Sequence, residues 1–117
     1  MDEMKGKKKT RSFFELADEH ISQLKKMKKT NRAVSDASKV NSFKEFTQND
    51  NLQFEDITEH LLKMYKTYLI AKGTNSERSI MNIFILIRLL FNRAIKMGIV
   101  EREKYPFGEN KIRIVLP

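Results

Sequence analysis

Cysteine is absent from this 117-residue chain, which removes disulfide scaffolds, thiolate zinc sites, iron–sulfur clusters and cysteine nucleophiles together. A reducing, cytosolic setting is the expectation that follows. Glycine is scarce as well. The four glycines form no phosphate-cradling loop, and no Gly-x-Ser-x-Gly elbow occurs, so nucleotide hydrolysis and serine-hydrolase chemistry have no support. Long apolar runs are also missing. The longest, Ile83 to Ile87, falls far short of the roughly 20 residues that span a bilayer. Met1 to Arg11 is highly charged and lacks the apolar segment of a secretory signal. The expectation is a soluble protein.

Histidine is nearly absent. His20 has no ligand-type residue four positions away and His60 has only Asp56, too few groups for a metal site. Both histidines are expected at the surface or half-buried. Asp18 and Glu19 precede His20, but adjacent helix positions point apart and make no dyad. The acidic pairs Glu55-Asp56 and Glu101/Glu103 are explained by helix starts and a solvated surface. No catalytic residue, metal or cofactor is therefore assigned.

What the chain has in quantity is positive charge. Its 23 Lys and Arg outnumber 15 Asp and Glu, for a net charge of +8. Such a balance favours a polyanionic partner, either nucleic acid or an anionic membrane surface. Charged residues make up 32% and apolar residues 40%, the mixture of one globular unit with a heavily solvated exterior.

Along the chain, residues 1–11 read as a flexible basic tail carrying Lys5, Lys7, Lys8 and Lys9. Ser12-Phe13-Phe14-Glu15 is a capping-box pattern. It opens a first helix whose apolar positions Phe13, Leu16, Ala17, Ile21, Leu24 and Met27 keep the helical period. Lys25 to Arg32 contains no acid and forms the densest positive cluster. A second helix is expected over Ala33 to Phe46, with Val34, Ala37, Val40, Phe43 and Phe46 as a weaker stripe. Thr47 to Glu55 reads as a loop.

A third helix starts near Ile57 or Thr58 and stops at Lys72-Gly73. Thr74-Asn75-Ser76-Glu77 reads as a cap ahead of a helix of about 21 residues, roughly 32 Å long and near one turn of a DNA duplex, ending at Gly98. Ile80, Ile83, Phe84, Ile87, Leu90, Phe91, Ala94 and Ile95 fall on one broad stripe of it, making this the central helix of a bundle. Tyr65, Tyr68 and Tyr105 are packing residues. Ile112, Ile114 and Leu116 alternate like a strand fragment.

These residues resemble the N-terminal SAM-like, core-binding domain of tyrosine recombinases, the phage-integrase family. The resemblance covers about Ser12 to Phe107. Phe54-Glu55-Asp56-Ile57-Thr58 is similar to the family's loop into its third helix. Tyr65, Tyr68-Leu69 and Lys72-Gly73 are similar to that helix and its end. Leu86 through Gly98 matches the long helix and its glycine stop, and Tyr105-Pro106-Phe107 looks like the exit toward the catalytic domain. The usual Ser/Thr-rich opening of helix 4 is partly replaced by Glu77 and Arg78, and helix 2 lacks the customary Tyr.

The resemblance implies an all-α, four-helix SAM-like bundle over 12–107. Residues 108–117 would then lead toward a missing catalytic domain that carries the Arg, His and Tyr set, so the fragment itself would not cut DNA. It implies a DNA-binding domain that grips duplex DNA at a recombination site during integration or recombination of a mobile element. Its partners would be double-stranded DNA, its own catalytic domain and other recombinase protomers on DNA. The isolated fragment would be a monomer in a bacterial or phage-type cytoplasm, nucleoid-associated when on DNA.

Carried over by position, the implied DNA contacts are Thr30, Asn31 and Arg32 before helix 2, Lys39 and Lys44 on it, and Asn75, Ser76, Arg78, Ser79 and Asn82 at the start of helix 4. Arg88 is a further candidate on an exposed side. Each of these also suits an ordinary solvated charge or helix cap. A competing reading is a helical protein-interaction module that docks a catalytic lobe or neighbouring subunit through Met81, Ile85, Leu89 and the tail. A weaker one is a basic bundle adsorbed on anionic lipid.

Overall fold

The computed structural model describes residues 11–108, and within them the order is α1 (Phe13–Lys26), α2 (Thr30–Thr47), a 3₁₀ turn (Phe54–Asp56), α3 (Glu59–Lys72), α4 (Glu77–Lys96) and a second 3₁₀ turn (Arg102–Lys104). The fold is all-α, with no strand among the described residues. The basic stretch 1–10 and the alternating Ile112–Leu116 segment lie outside the described residues.

Local chemistry sets most of the boundaries. The Ser12 hydroxyl accepts from the Glu15 amide at 3.3 Å, and the Glu15 carboxylate accepts from the Ser12 amide at 2.9 Å. This is the reciprocal cap that its sequence announces. The next orphan amide, that of Phe13, donates to Leu52 O at 2.8 Å, so the loop after α2 closes the start of α1. Thr58 and Ser76 cap α3 and α4, accepting from the amides of Leu61 at 3.1 Å and Ser79 at 3.0 Å. Gly73, at φ 71°, ends α3 in the left-handed conformation that costs glycine least. At the end of α4, Gly98 is also left-handed, and Ile99 N donates to Ala94 O at 2.9 Å. The chain is thereby folded back so that Val100 is buried.

Helix α2 departs from expectation. It begins at Thr30 rather than Ala33 and runs to Thr47, so Thr30, Asn31 and Arg32 occupy its first turn instead of preceding it. No side chain caps this end. The start is set by Lys28, whose left-handed φ of 63° turns the chain sharply between the two helices, and by the Ala33 N to Lys29 O bond at 2.9 Å. The buried arc of α2 is Ala33, Asp36, Val40 and Phe43. Val34, expected on the apolar stripe, is 63% exposed because it sits about 100° around from Ala33. Met27, the residue after α1, and Ile70 of α3 are likewise exposed.

The core is built on α4, whose Ile80, Ile83, Phe84, Leu86, Ile87, Leu90, Phe91 and Ala94 are all buried, with Ile95 packed at its edge. Aromatic rings link the layers. Phe13 meets Phe43 and Phe54 edge-on at 5.4 Å, and Phe54 meets Phe91 at 5.4 Å. Tyr65 lies 4.9 Å from Phe43 and stacks on Phe84 at 5.9 Å. Helix α2 packs against α1, α3 and α4, so it is held from three sides while its remaining face stays open.

Tyr65 is fully buried, and its hydroxyl is 2.8 Å from Ser42 Oγ. Burial pushes its pKa up to about 12, against a smaller opposing effect of the Ser42 hydrogen bond. A raised phenol pKa stabilises the fold fully below pH 10, and that contribution is lost as pH climbs through 12. Between those values the wild type is expected to lose about 1–2 kcal/mol more stability than Tyr65→Phe, after discount for screening at the hydroxyl end. Urea denaturation at pH 9 and pH 11.5 checks this.

Candidate nucleic-acid interface

The open face of α2 meets the beginning of α4 along a groove of about 370 Å³ lined by Val34, Ser35, Ser38, Lys39, Ser42, Asn75, Ser79, Asn82 and Ile83. Two periodicities place these side chains. On α2, Ser35, Ser38 and Ser42 recur at helical spacing opposite the buried arc. Asn75, just before the Ser76 cap, and Ser79 and Asn82 on α4 run along one edge of its first turns, with Ile83 forming the floor.

Of the sequence-derived candidates, Lys39, Asn75, Ser79 and Asn82 are brought together in this groove. Asn31 lies on the same side of α2, one turn before Ser35. Arg78 is exposed on the first turn of α4 and flanks the groove. Ser76 is committed to capping through its bond to Ser79 N. Thr30 is exposed at the very start of α2.

Three candidates fall elsewhere, one of them Arg32, which lines a separate cleft with His20, Lys29 and Arg93. Lys44 reaches toward α1, its ammonium 5.5 Å from the centre of the Phe14 ring. That cation–π contact covers apolar surface and draws the charge away from the groove. Arg88 follows Ser79 by about two and a half helical turns and so sits on the opposite side of α4; it is half-buried.

Positive charge collects at the α1–α2 end. Lys25, Lys26, Lys28, Lys29 and Arg32 are all exposed, and among the described residues only Arg32 of these five is in an ion pair. The first turn of α2 holds no acidic residue, so its unpaired amides add to the same field.

The serine stripe, not among the candidates, has its signal in the spacing of Ser35, Ser38 and Ser42. What lies beneath Arg32 and Lys39 has no local signal. Asp36 is 3% exposed, and its Oδ2 accepts from Arg32 Nε at 3.2 Å and lies 2.9 Å from His20 Nε2. Lys39 Nζ stands 3.5 Å from the other oxygen, Oδ1, and donates to Ser35 Oγ at 2.7 Å. On the far side of the imidazole, Arg93 Nη1 approaches His20 Nδ1 at 3.2 Å. A guanidinium can only donate, so Nδ1 accepts and the proton sits on Nε2, which donates to Asp36.

His20 is therefore neither a surface nor a half-buried residue, being 5% exposed between α1, α2 and α4. A buried carboxylate is tolerable because every partner needed to satisfy it is in place. The alternative docking stripe also changes: Met81, Ile85 and Leu89 are half-buried, and Leu89 packs on the core.

Among the described residues no group of three or more acidic or imidazole side chains is placed to hold a metal ion. No helix among them is long and apolar enough to cross a membrane. Compared with known families, residues 12–114 match the model described as the phage integrase SAM-like domain. No curated protein and no solved structure matches the chain.

Proposed function

Because the chain belongs to the phage integrase SAM-like domain family, we propose that it grips duplex DNA for a tyrosine-type site-specific recombinase during integration or recombination. The matched domain is a non-catalytic module, and the parent enzyme supplies the cutting chemistry from a separate lobe. The observation that carries the reading is the α2–α4 groove, where Lys39, Asn75, Ser79 and Asn82 converge beside exposed cations that few acids offset.

The chemistry of this lining suits DNA. Lys39 in the groove, with Arg32 and Arg78 outside its lining, releases counterions by contacting phosphates, while serine hydroxyls and open helix amides position the backbone. Asn75 and Asn82 carry the paired donor and acceptor that read adenine in the major groove, and exposed Val34 offers apolar contact for a thymine methyl. In this reading the partners are double-stranded DNA, the catalytic lobe and neighbouring protomers.

Titrating the ¹⁵N-labelled chain with a short duplex at low salt tests the proposal. Amide shifts are expected to concentrate in α2 and the first two turns of α4. Shifts confined to α3, or none at all, would overturn it.

A further inference from the structure

Two cations of this interface, Arg32 and Lys39, are not free side chains, because the buried carboxylate of Asp36 joins them. Its Oδ2 holds Arg32 through Nε alone, which leaves the end edge of the guanidinium, between its two terminal amino groups, without a bond to Asp36. The Arg32 side chain is 53% exposed while that of Asp36 is 4% exposed, so the anchor is inside and the working end outside. Lys39 is steered in the same manner by Asp36 Oδ1 and Ser35 Oγ, with its third ammonium proton unengaged. Behind Asp36, His20 on α1 and Arg93 on α4 complete a chain of contacts across three helices.

We propose that Asp36 is a positioning residue for DNA binding, which presets Arg32 and Lys39 in phosphate-receiving geometry and is itself fixed by the His20–Arg93 pair. The inference rests on the DNA-gripping reading and adds a role for an acidic residue that never touches DNA. A long cation fixed before encounter loses less rotamer freedom on binding than a mobile one. The carboxylate and the phosphate engage different edges of the same guanidinium, so they do not compete.

The sign of the expected effect separates this role from simple electrostatics. Asp36→Asn removes one negative charge, and bulk electrostatics alone would tighten binding to a polyanion. Positioning predicts the reverse: duplex affinity about 3- to 10-fold weaker near 0.15 M salt, where general charge effects are screened beyond roughly 8 Å. The log–log salt slope should stay at the wild-type value, since no phosphate contact disappears, whereas Arg32→Ala should lower it by about 0.9. In an Arg32→Ala/Lys39→Ala background, Asp36→Asn should have no further effect on affinity, a coupling that a merely structural role would not produce.

A second measurement does not depend on the variant folding. In the free 117-residue chain, ¹⁵N relaxation of the Arg32 Nε–H group should give an order parameter near the rigid value of about 0.85, and one below about 0.6 would overturn the proposal. Unchanged or tighter binding by folded Asp36→Asn would also overturn it while leaving the DNA-gripping reading intact. Failure of the wild type to bind any duplex would remove that reading and this inference together.

Discussion

Phe91→Ala is expected to lower the unfolding free energy by about 3–5 kcal/mol, the range for emptying a buried aromatic site. Phe91 has no exposed surface and stands where separate parts of the chain converge. Phe54 of the first 3₁₀ turn meets it edge-on at 5.4 Å, and Tyr105, just after the second 3₁₀ turn, meets it at 6.0 Å. Truncation therefore loses transfer free energy, two ring contacts and the packing of a cavity wall that helices cannot readily collapse into. Against a typical stability of about 5–15 kcal/mol, that loss leaves a small domain marginal at 37 °C. Denaturant midpoints at fixed m-value provide the measurement, and a loss below about 1.5 kcal/mol would mean that Phe91 does not hold these segments together.

The second large effect concerns binding. Replacing Arg32, Lys39 and Arg78 together by glutamine is expected to weaken duplex affinity by about 100- to 1,000-fold at 0.1 M salt and to lower the salt slope by about 2.7, or 0.9 for each lost phosphate contact. Glutamine at position 32 keeps an amide donor for Asp36, so the fold should survive. Equal charge removal at Lys44, Arg88 and Lys63 supplies the comparison. Lys44 rests on Phe14, Arg88 sits on the far side of α4, and Lys63 pairs with Glu59 at 3.0 Å on α3. That second triple variant shares the same net charge but should lose far less affinity. Equivalent losses in the two would indicate a diffuse electrostatic attraction without a defined face.

The contrast between these two sets also marks how far the amino-acid order could be read directly. Capping residues and glycine stops act through bonds of a few residues' reach, which is why the starts of α1 and α4 were legible from Ser12 and Ser76, the ends of α3 and α4 from Gly73 and Gly98, and the start of α3 to within a residue or two of Thr58. The buried stripe of α4 was legible for the same reason, since periodicity is local. Helix α2 resisted because its start has no capping side chain and its buried arc includes an aspartate. Nothing in the residues next to Asp36 marks it as buried. Its justification lies 16 positions away at His20, and that of His20 lies 73 positions away at Arg93.

The candidate interface was legible to the same degree. Residue type and family resemblance nominated Lys39, Asn75, Ser79 and Asn82, which the fold assembles into one groove. The same criteria nominated Lys44 and Arg88. Only the packing of Phe14 beneath Lys44, and the rotation of α4 past Ser79, set those two apart. Charge is visible in a sequence, but the direction in which a long side chain is drawn depends on its neighbours in space.

The anchoring of Tyr105 and Phe107 has a mechanical consequence. Tyr105 rests on Phe91 and on Phe107 at 5.5 Å, and Phe107 is buried, so a pull on the chain beyond that point is not absorbed by the bend at Gly98. The load passes through the rings into the middle of α4 and across Phe54 to the root of α3. A tether attached there would thus tug on the whole bundle as a rigid lever, and the same helix that lines the groove would feel the strain.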